Sequence, residues 1–256
     1  MNSILFDIGG TKTRVAYSLT GESFEEPKVF ATSDLLIENI KAVAKDREIQ
    51  KIVGGMSRNI SGLDYTKLRQ ILEQEFKAEI FIENDAAMVG LGEAVFGAGK
   101  DFEIVAYLTV STGVGGARIV NSRIDEKSVG FEPGKQIVDI EGGQNKTLED
   151  LVSGSALAER TGKNPKEITD PKIWEDLAKK LAVGLNNIIV EWSPSVVVLG
   201  GSMITGDPAI PLDKAEDYLK EILKIFPTLP PIKKAQLGDF GGLWGALAYL
   251  KTGNPQ

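Results

Sequence analysis

An apolar run, a glycine-rich turn and a returning apolar run occur twice in this chain. The first instance is residues 3–6, then Asp7-Ile8-Gly9-Gly10-Thr11, then residues 14–18. The second is residues 104–110, then Ser111-Thr112-Gly113-Val114-Gly115-Gly116, then residues 117–120. Short runs of β-formers joined by glycine turns read as hairpins. Recurrence of one such unit reads as a short internal duplication, which predicts two similar lobes divided near residue 100. Helical spacing of apolar residues predicts helices over 35–45, 66–76, 86–96, 148–160, 171–192, 212–225 and from about 243. Short apolar runs at 51–54, 80–82, 195–199 and 232–237 read as strands, and the polar, glycine-rich stretch 125–146 as a long loop. Alternation of strands and helices places the chain in the α/β class.

Composition narrows the chemistry. The 256 residues include no cysteine and no histidine, which removes disulfides, Cys/His zinc sites, Ser-His dyads and any histidine base. Acid–base work falls to Asp, Glu, Lys or Tyr. A net charge of −7 argues against a nucleic-acid or anionic-membrane surface. The N-terminal residues lack the pattern of a signal peptide, and no apolar run is long enough to span a bilayer. A cytoplasmic location is therefore expected, and the sequons at Asn59 and Asn145 are read as chance matches.

Four elements have the residue types for chemistry. In Asp7-Ile8-Gly9-Gly10-Thr11-Lys12, the glycines let phosphate oxygens approach backbone N–H groups, Thr11 adds a hydroxyl and Lys12 a cation. Asp7, at the strand end, has the position to hold a water of a hydrated Mg²⁺. Thr112-Gly113-Val114-Gly115-Gly116 is the second such turn. Taken alone, each is an ordinary hairpin turn; as a pair they suit a polyphosphate. In Glu83-Asn84-Asp85, Asp85 reads either as the N-cap of a helix starting at Ala86 or as a general base. Val197-Val198-Leu199-Gly200-Gly201 is a buried strand running into glycines, where a flat base can lie against backbone, or an ordinary strand-to-helix turn. None of these fits the P-loop pattern.

Together the elements resemble the ROK family of sugar kinases and sugar-responsive repressors. Asp7–Lys12 resembles its first phosphate motif, Glu83-Asn84-Asp85-Ala86 its catalytic motif, Thr112–Gly116 its second phosphate motif and Val197–Gly201 its adenosine motif. Leu237-Gly238-Asp239 with Gly241, Leu243, Gly245 and Ala246 resembles its closing segment. The resemblance implies a two-lobed actin-like ATPase (ribonuclease H-like) fold with a central cleft. The first lobe is expected over 1–100 and the second over 101–242, with the last helix, 243–256, returning to the first. It further implies ATP and Mg²⁺ as cofactors, Asp85 as catalytic base, and Asn84 and Glu149 on the sugar. Gly9, Gly10, Thr11, Lys12, Thr112, Gly113, Gly200 and Gly201 are then the nucleotide contacts. Many members carry Gly-Glu-x-Gly-His, with Glu and His on the sugar, and cysteines that bind zinc with this His. Here Lys127-Ser128-Val129-Gly130-Phe131 stands in that place, so Ser128 and Phe131 replace the two sugar contacts and no zinc is expected. Glu132 is the candidate replacement carboxylate.

The expected function is ATP-dependent phosphoryl transfer to a hydroxyl of a hexose or related sugar, glucokinase-like. The partners are then a small sugar, with no nucleic acid and no membrane, and a homodimer is a candidate assembly. Three other readings share the fold: a sugar- or nucleotide-binding pseudokinase, a sugar-sensing repressor, and an ATPase acting on a non-sugar. The repressor reading is opposed by the acidic charge and by a phosphate-motif strand that begins at residue 3.

Overall fold

The structure, a computed structural model, describes all residues except 34, 59, 61, 141–144 and 254–256. The sequon residue Asn59 therefore lies outside the described residues. The chain divides into two compact units. The first comprises residues 1–100, 122–124 and 237–256, and the second residues 101–121 and 125–236. Residues 237–242, assigned from sequence to the second lobe, thus belong to the first unit.

In the first unit, β1 (Ser3–Ile8) sits between antiparallel β2 (Lys12–Ser18) and parallel β4 (Lys51–Met56). With β3 (Lys28–Ala31) and β5 (Glu79–Asn84) the sheet order is β3-β2-β1-β4-β5. Every residue of β1 is buried, as expected for a central strand covered on both faces. One face packs on α1 (Leu36–Ala44) and α2 (Tyr65–Phe76), through Ile40, Leu68 and Leu72, all fully buried. Against the sheet also lie α3 (Asp85–Phe96) and α9 (Gly241–Thr252). Their crossing is made of glycine. A Cβ on Gly245 would stand 1.7 Å from the Met88 carbonyl oxygen, and one on Gly92 2.7 Å from that of Gly241.

The second unit repeats the arrangement. Here β6 (Ile104–Val110) lies between antiparallel β7 (Val114–Val120) and parallel β11 (Val196–Gly200), beyond which comes β12 (Ile232–Lys234). The core is built on α6 (Pro171–Trp192), whose Trp174, Leu177, Leu181, Leu185 and Ile188 are buried at helical spacing. Pro171 at its first position and the Asp170 side chain, accepting the Lys172 N–H, start this helix. This unit also holds α7 (Ser202–Thr205) and α8 (Leu212–Ile222), while the residues of the short β8 (Arg123–Ile124) fall in the first unit.

Several expectations needed correction. The single helix over 148–160 is two, α4 (Leu148–Val152) and α5 (Gly154–Thr161), because Ser153 leaves helical geometry and its hydroxyl accepts the Ala156 N–H as a new cap. The loop 125–146 contains a 3₁₀ turn at Pro133–Lys135 and a small hairpin of β9 (Ile137–Asp139) and β10 (Lys146–Thr147). The strand over 232–237 ends at Lys234 and the helix over 212–225 at Ile222. The last helix starts at Gly241, preceded by a 3₁₀ turn at Gly238–Phe240. β3 and α7 were not foreseen. Among the described residues no helix is long and apolar enough to cross a membrane.

Candidate active site

In the first unit, the hairpin register sets Asp7 directly opposite Arg14. Arg14 Nη1 lies 3.2 Å from Asp7 Oδ2. Asp7 is only 8% exposed, and Gly242, in the first turn of α9, packs so closely that a Cβ there would be 2.6 Å from Asp7 Cγ. Burial pushes the Asp7 carboxyl up to about 6; Arg14 pulls it down, while the carboxylates of Asp85 and Asp239 push it further up. Only the Arg14 contact is direct; Asp85 and Asp239 act on Asp7 through their charge. Arg14 was missed from sequence, although counting residues across the Gly9-Gly10 turn would have placed it opposite Asp7.

The adjoining turn is held by its carbonyls. The Gly9 N–H donates to Lys12 O at 3.0 Å, the Thr32 N–H to Thr11 O at 3.0 Å, and the Thr32 hydroxyl to Gly9 O at 2.8 Å. Gly10, Thr11 and Lys12 are exposed, and a Cβ on Gly10 would meet nothing within 4 Å. Among the described residues no protein acceptor takes the Gly10 or Thr11 N–H. This is an open concavity of backbone donors beside a buried carboxylate. Its donors suit a phosphate oxygen; among the described residues no group of three or more acidic side chains is close enough to hold a metal ion by itself.

The Asn84–Asp85 pair sits at the N-terminus of α3. Asn84, not Asp85, is the N-cap: its Oδ1 accepts the Ala87 N–H at 3.1 Å. Asp85 is the first helical residue, and its Oδ1 accepts the Ala86 N–H at 2.9 Å. Both side chains are half-buried at the positive end of the helix. β4 runs tightly against this end, since a Cβ on Gly55 would be 3.0 Å from Asp85 Cα. Tyr65 supports the corner by donating to Met56 O at 3.0 Å. Burial raises its phenol pKa, while the nearby Arg58 and Asn84 side chains lower it. Asn84 itself caps α3.

In the second unit, Glu149 of α4 engages the glycine turn. Its Oε2 accepts the Val114 N–H at 2.8 Å, and its Oε1 pairs with Lys135 Nζ. A Cβ on Gly113 would be 2.7 Å from Oε2, so the glycine makes room for this carboxylate. Thr112 is exposed. The Gly154 and Ser155 N–H groups donate to Ser111 O and Thr112 O, at 2.7 and 3.3 Å. Glu149, expected on a sugar, is thus already ligated on both oxygens. Lys135 was missed because nothing in the sequence pairs it with Glu149.

The remaining expected residues divide. Gly201 has φ +87° with no room for a Cβ, 2.3 Å from Val110 O. Gly200 is buried under the Tyr107 hydroxyl, so of this pair only Gly201 reaches the surface. Glu132 and Ser128 are exposed. Phe131 packs edge-on against Trp192, ring centroids 5.1 Å apart; it is a packing residue of its loop.

A family model described as the ROK family matches residues 40–252. An N-acetylmannosamine kinase of Haemophilus influenzae is 24% identical over 98% of this chain and 96% of its own. A xylose repressor of Bacillus subtilis is 28% identical over 63% of this chain, and the match spans 47% of the repressor. The crystal structure of a ROK hexokinase from Thermus thermophilus superposes with a TM-score of 0.78 at 25% identity, covering 98% of this chain and 99% of that one. The fold is accordingly the mixed α/β, two-sheet fold of the actin-like ATPases.

Proposed function

Because the chain belongs to the ROK family, whose relatives here include both sugar kinases and a repressor, we propose that it is a sugar kinase with Asp85 as its base. The observation that carries this reading is the Asp85 carboxylate at the first turn of α3, in electrostatic contact with the buried Asp7–Arg14 pair. In a chain with no histidine, Asp85 is placed to accept the proton of a sugar hydroxyl as it attacks. The Ala86 N–H orients it at the positive end of α3. Bound ATP with Mg²⁺ supplies the phosphoryl group and neutralises its charge. Asp7 holds a water of the ion, and the open N–H groups of Gly10 and Thr11, with Gly9 and Lys12, hold phosphate oxygens. Thr112 and Gly113 form a second phosphate turn, and Gly201, backed by Gly200, lies under the base. Asn84 and Glu132 contact the sugar, and Glu149 does so only by exchanging Lys135 for a sugar hydroxyl. The match to a sugar kinase extends over 98% of this chain, against 63% for the xylose repressor, which supports this reading.

A catalytically weakened binder is the second reading. It is favoured by Phe131, whose ring is committed to Trp192 and offers a sugar no hydrogen bond. A coupled ATPase assay over a panel of hexoses and N-acetylhexosamines separates the two. The kinase reading expects sugar-dependent ATP turnover that falls at least ~10²-fold in Asp85→Asn, the usual range for a lost general base. Sugar-independent turnover, or an unaffected Asp85→Asn, would overturn it.

A further inference from the structure

At the outer strand β5 of the first unit is a cavity of about 300 Å³, lined by Arg69, Phe81, Ile82, Glu83, Met88 and Tyr249. That volume is at the lower end for small-molecule pockets and holds a molecule of about six carbons. Its polar groups converge. Among the described residues Arg69 has no ion pair and the Tyr249 hydroxyl no hydrogen bond. Glu83 adds a carboxylate, one oxygen of which accepts the Asn84 N–H at 2.8 Å. Ile82 and Met88 give an apolar wall, and the Phe81 and Tyr249 rings, 5.4 Å between centroids and inclined at 45°, give two aromatic surfaces. Both charged groups act on Tyr249: beyond burial, Glu83 raises and Arg69 lowers the Tyr249 pKa.

We propose that this cavity binds a small hydroxylated anion, with Arg69 on the anionic group, Glu83 and the Tyr249 hydroxyl on ligand hydroxyls, and the ring faces against its C–H surface. A guanidinium without a partner beside a carboxylate calls for a ligand with both an acceptor anion and hydrogen-bond donors. Strand pairing with a second copy fits the same edge less well. An antiparallel pair of β5 strands centred on Phe81 would set Glu79 against Glu83, a repulsive pairing. The site is separate in its residues from those given catalytic or nucleotide roles above, yet Glu83 directly precedes Asn84. An occupant there bears on the strand end that presents Asn84 and Asp85.

The anionic group is a carboxylate or a phosphate, and calorimetry on the full chain distinguishes them. Gluconate, a hexose 6-phosphate, inorganic phosphate and glucose are titrated into wild type, Arg69→Ala and Tyr249→Phe. Saturable binding of gluconate or of the hexose phosphate is expected, at least about tenfold weaker in Arg69→Ala and several-fold weaker in Tyr249→Phe. Glucose binding is expected to be the same in wild type and Arg69→Ala. Circular dichroism checks that both variants fold, as the exposure of Arg69 leads one to expect. No binding by either hydroxylated anion up to roughly 10 mM, or equal binding by Arg69→Ala, would overturn the proposal. Inorganic phosphate binding as tightly as the hexose phosphate would also overturn it, by removing the hydroxyl contacts. The readout is binding and not turnover, so it stands apart from the reaction assigned to Asp85.

Discussion

Replacing Asp7 with Asn should stabilise the protein near neutral pH while removing the kinase activity proposed above. The buried carboxyl has been pushed from 3.8 to about 6, and one unit corresponds to 1.36 kcal/mol. Ionising Asp7 in the folded state therefore costs about 3 kcal/mol more than in the unfolded chain, an upper figure because the pocket relaxes. The folded state binds more protons than the unfolded between those two values. Wild-type stability therefore falls as pH rises from about 4 to about 6, then levels off. Asn is isosteric, cannot ionise and still accepts from Arg14. The variant should match wild type at pH 4 and exceed it by about 1–3 kcal/mol at pH 7.5. Urea unfolding of both proteins across pH 4–8 measures this directly. Equal slopes for the two proteins between pH 4 and 6.5, or a less stable variant at pH 7.5, would refute the claim that Asp7 is held ionised at a cost. Its retention as a carboxylate would then be structural, not a concession to cation binding.

Gly245→Ala should destabilise the protein by about 3 kcal/mol or more, beyond ordinary overpacking, because its Cβ would lie 1.7 Å from a backbone carbonyl; thermal unfolding near that of wild type would contradict this crossing. Removal of Glu149 and of Lys135 should differ, although the two are partners. Glu149→Ala leaves the Val114 N–H without its carboxylate and should cost ~1–2 kcal/mol. Lys135→Ala, at a side chain 60% exposed, should cost under ~1 kcal/mol. Denaturant midpoints in the reverse order would mean that Lys135, not the turn, anchors Glu149.

The hairpins and the α/β alternation were legible because they rest on local signals. Buried strands such as 104–110 are continuous apolar runs, and the glycine turns that follow them have few other uses. β3 was not legible, since its exposed edge shows no apolar stripe. The cap at α3 falls on Asp85 in the sequence reading, one residue late, because Asn84 and Asp85 are equally good caps. Of the candidate site, the sequence picked out Asp7 and the open turn, and register alone would have added Arg14. The ties of Glu149 to Val114 and Lys135 come from tertiary packing, which no spacing encodes. The same holds for Phe131 against Trp192 and for the cavity beside β5.

The glycine crossing of α3 and α9 has a mechanical consequence. Side chains at most helix crossings act as compliant spacers, and their rotamers absorb small errors of position. Here the spacers are peptide groups in direct contact, at Gly92, Gly241 and Gly245. One helix carries Asp85 at its first residue, and the other presses Gly242 on Asp7. The spacing of the backbone that carries these two carboxylates is therefore set by peptide-to-peptide contact and not by side-chain rotamers, like two jaws cut from one block.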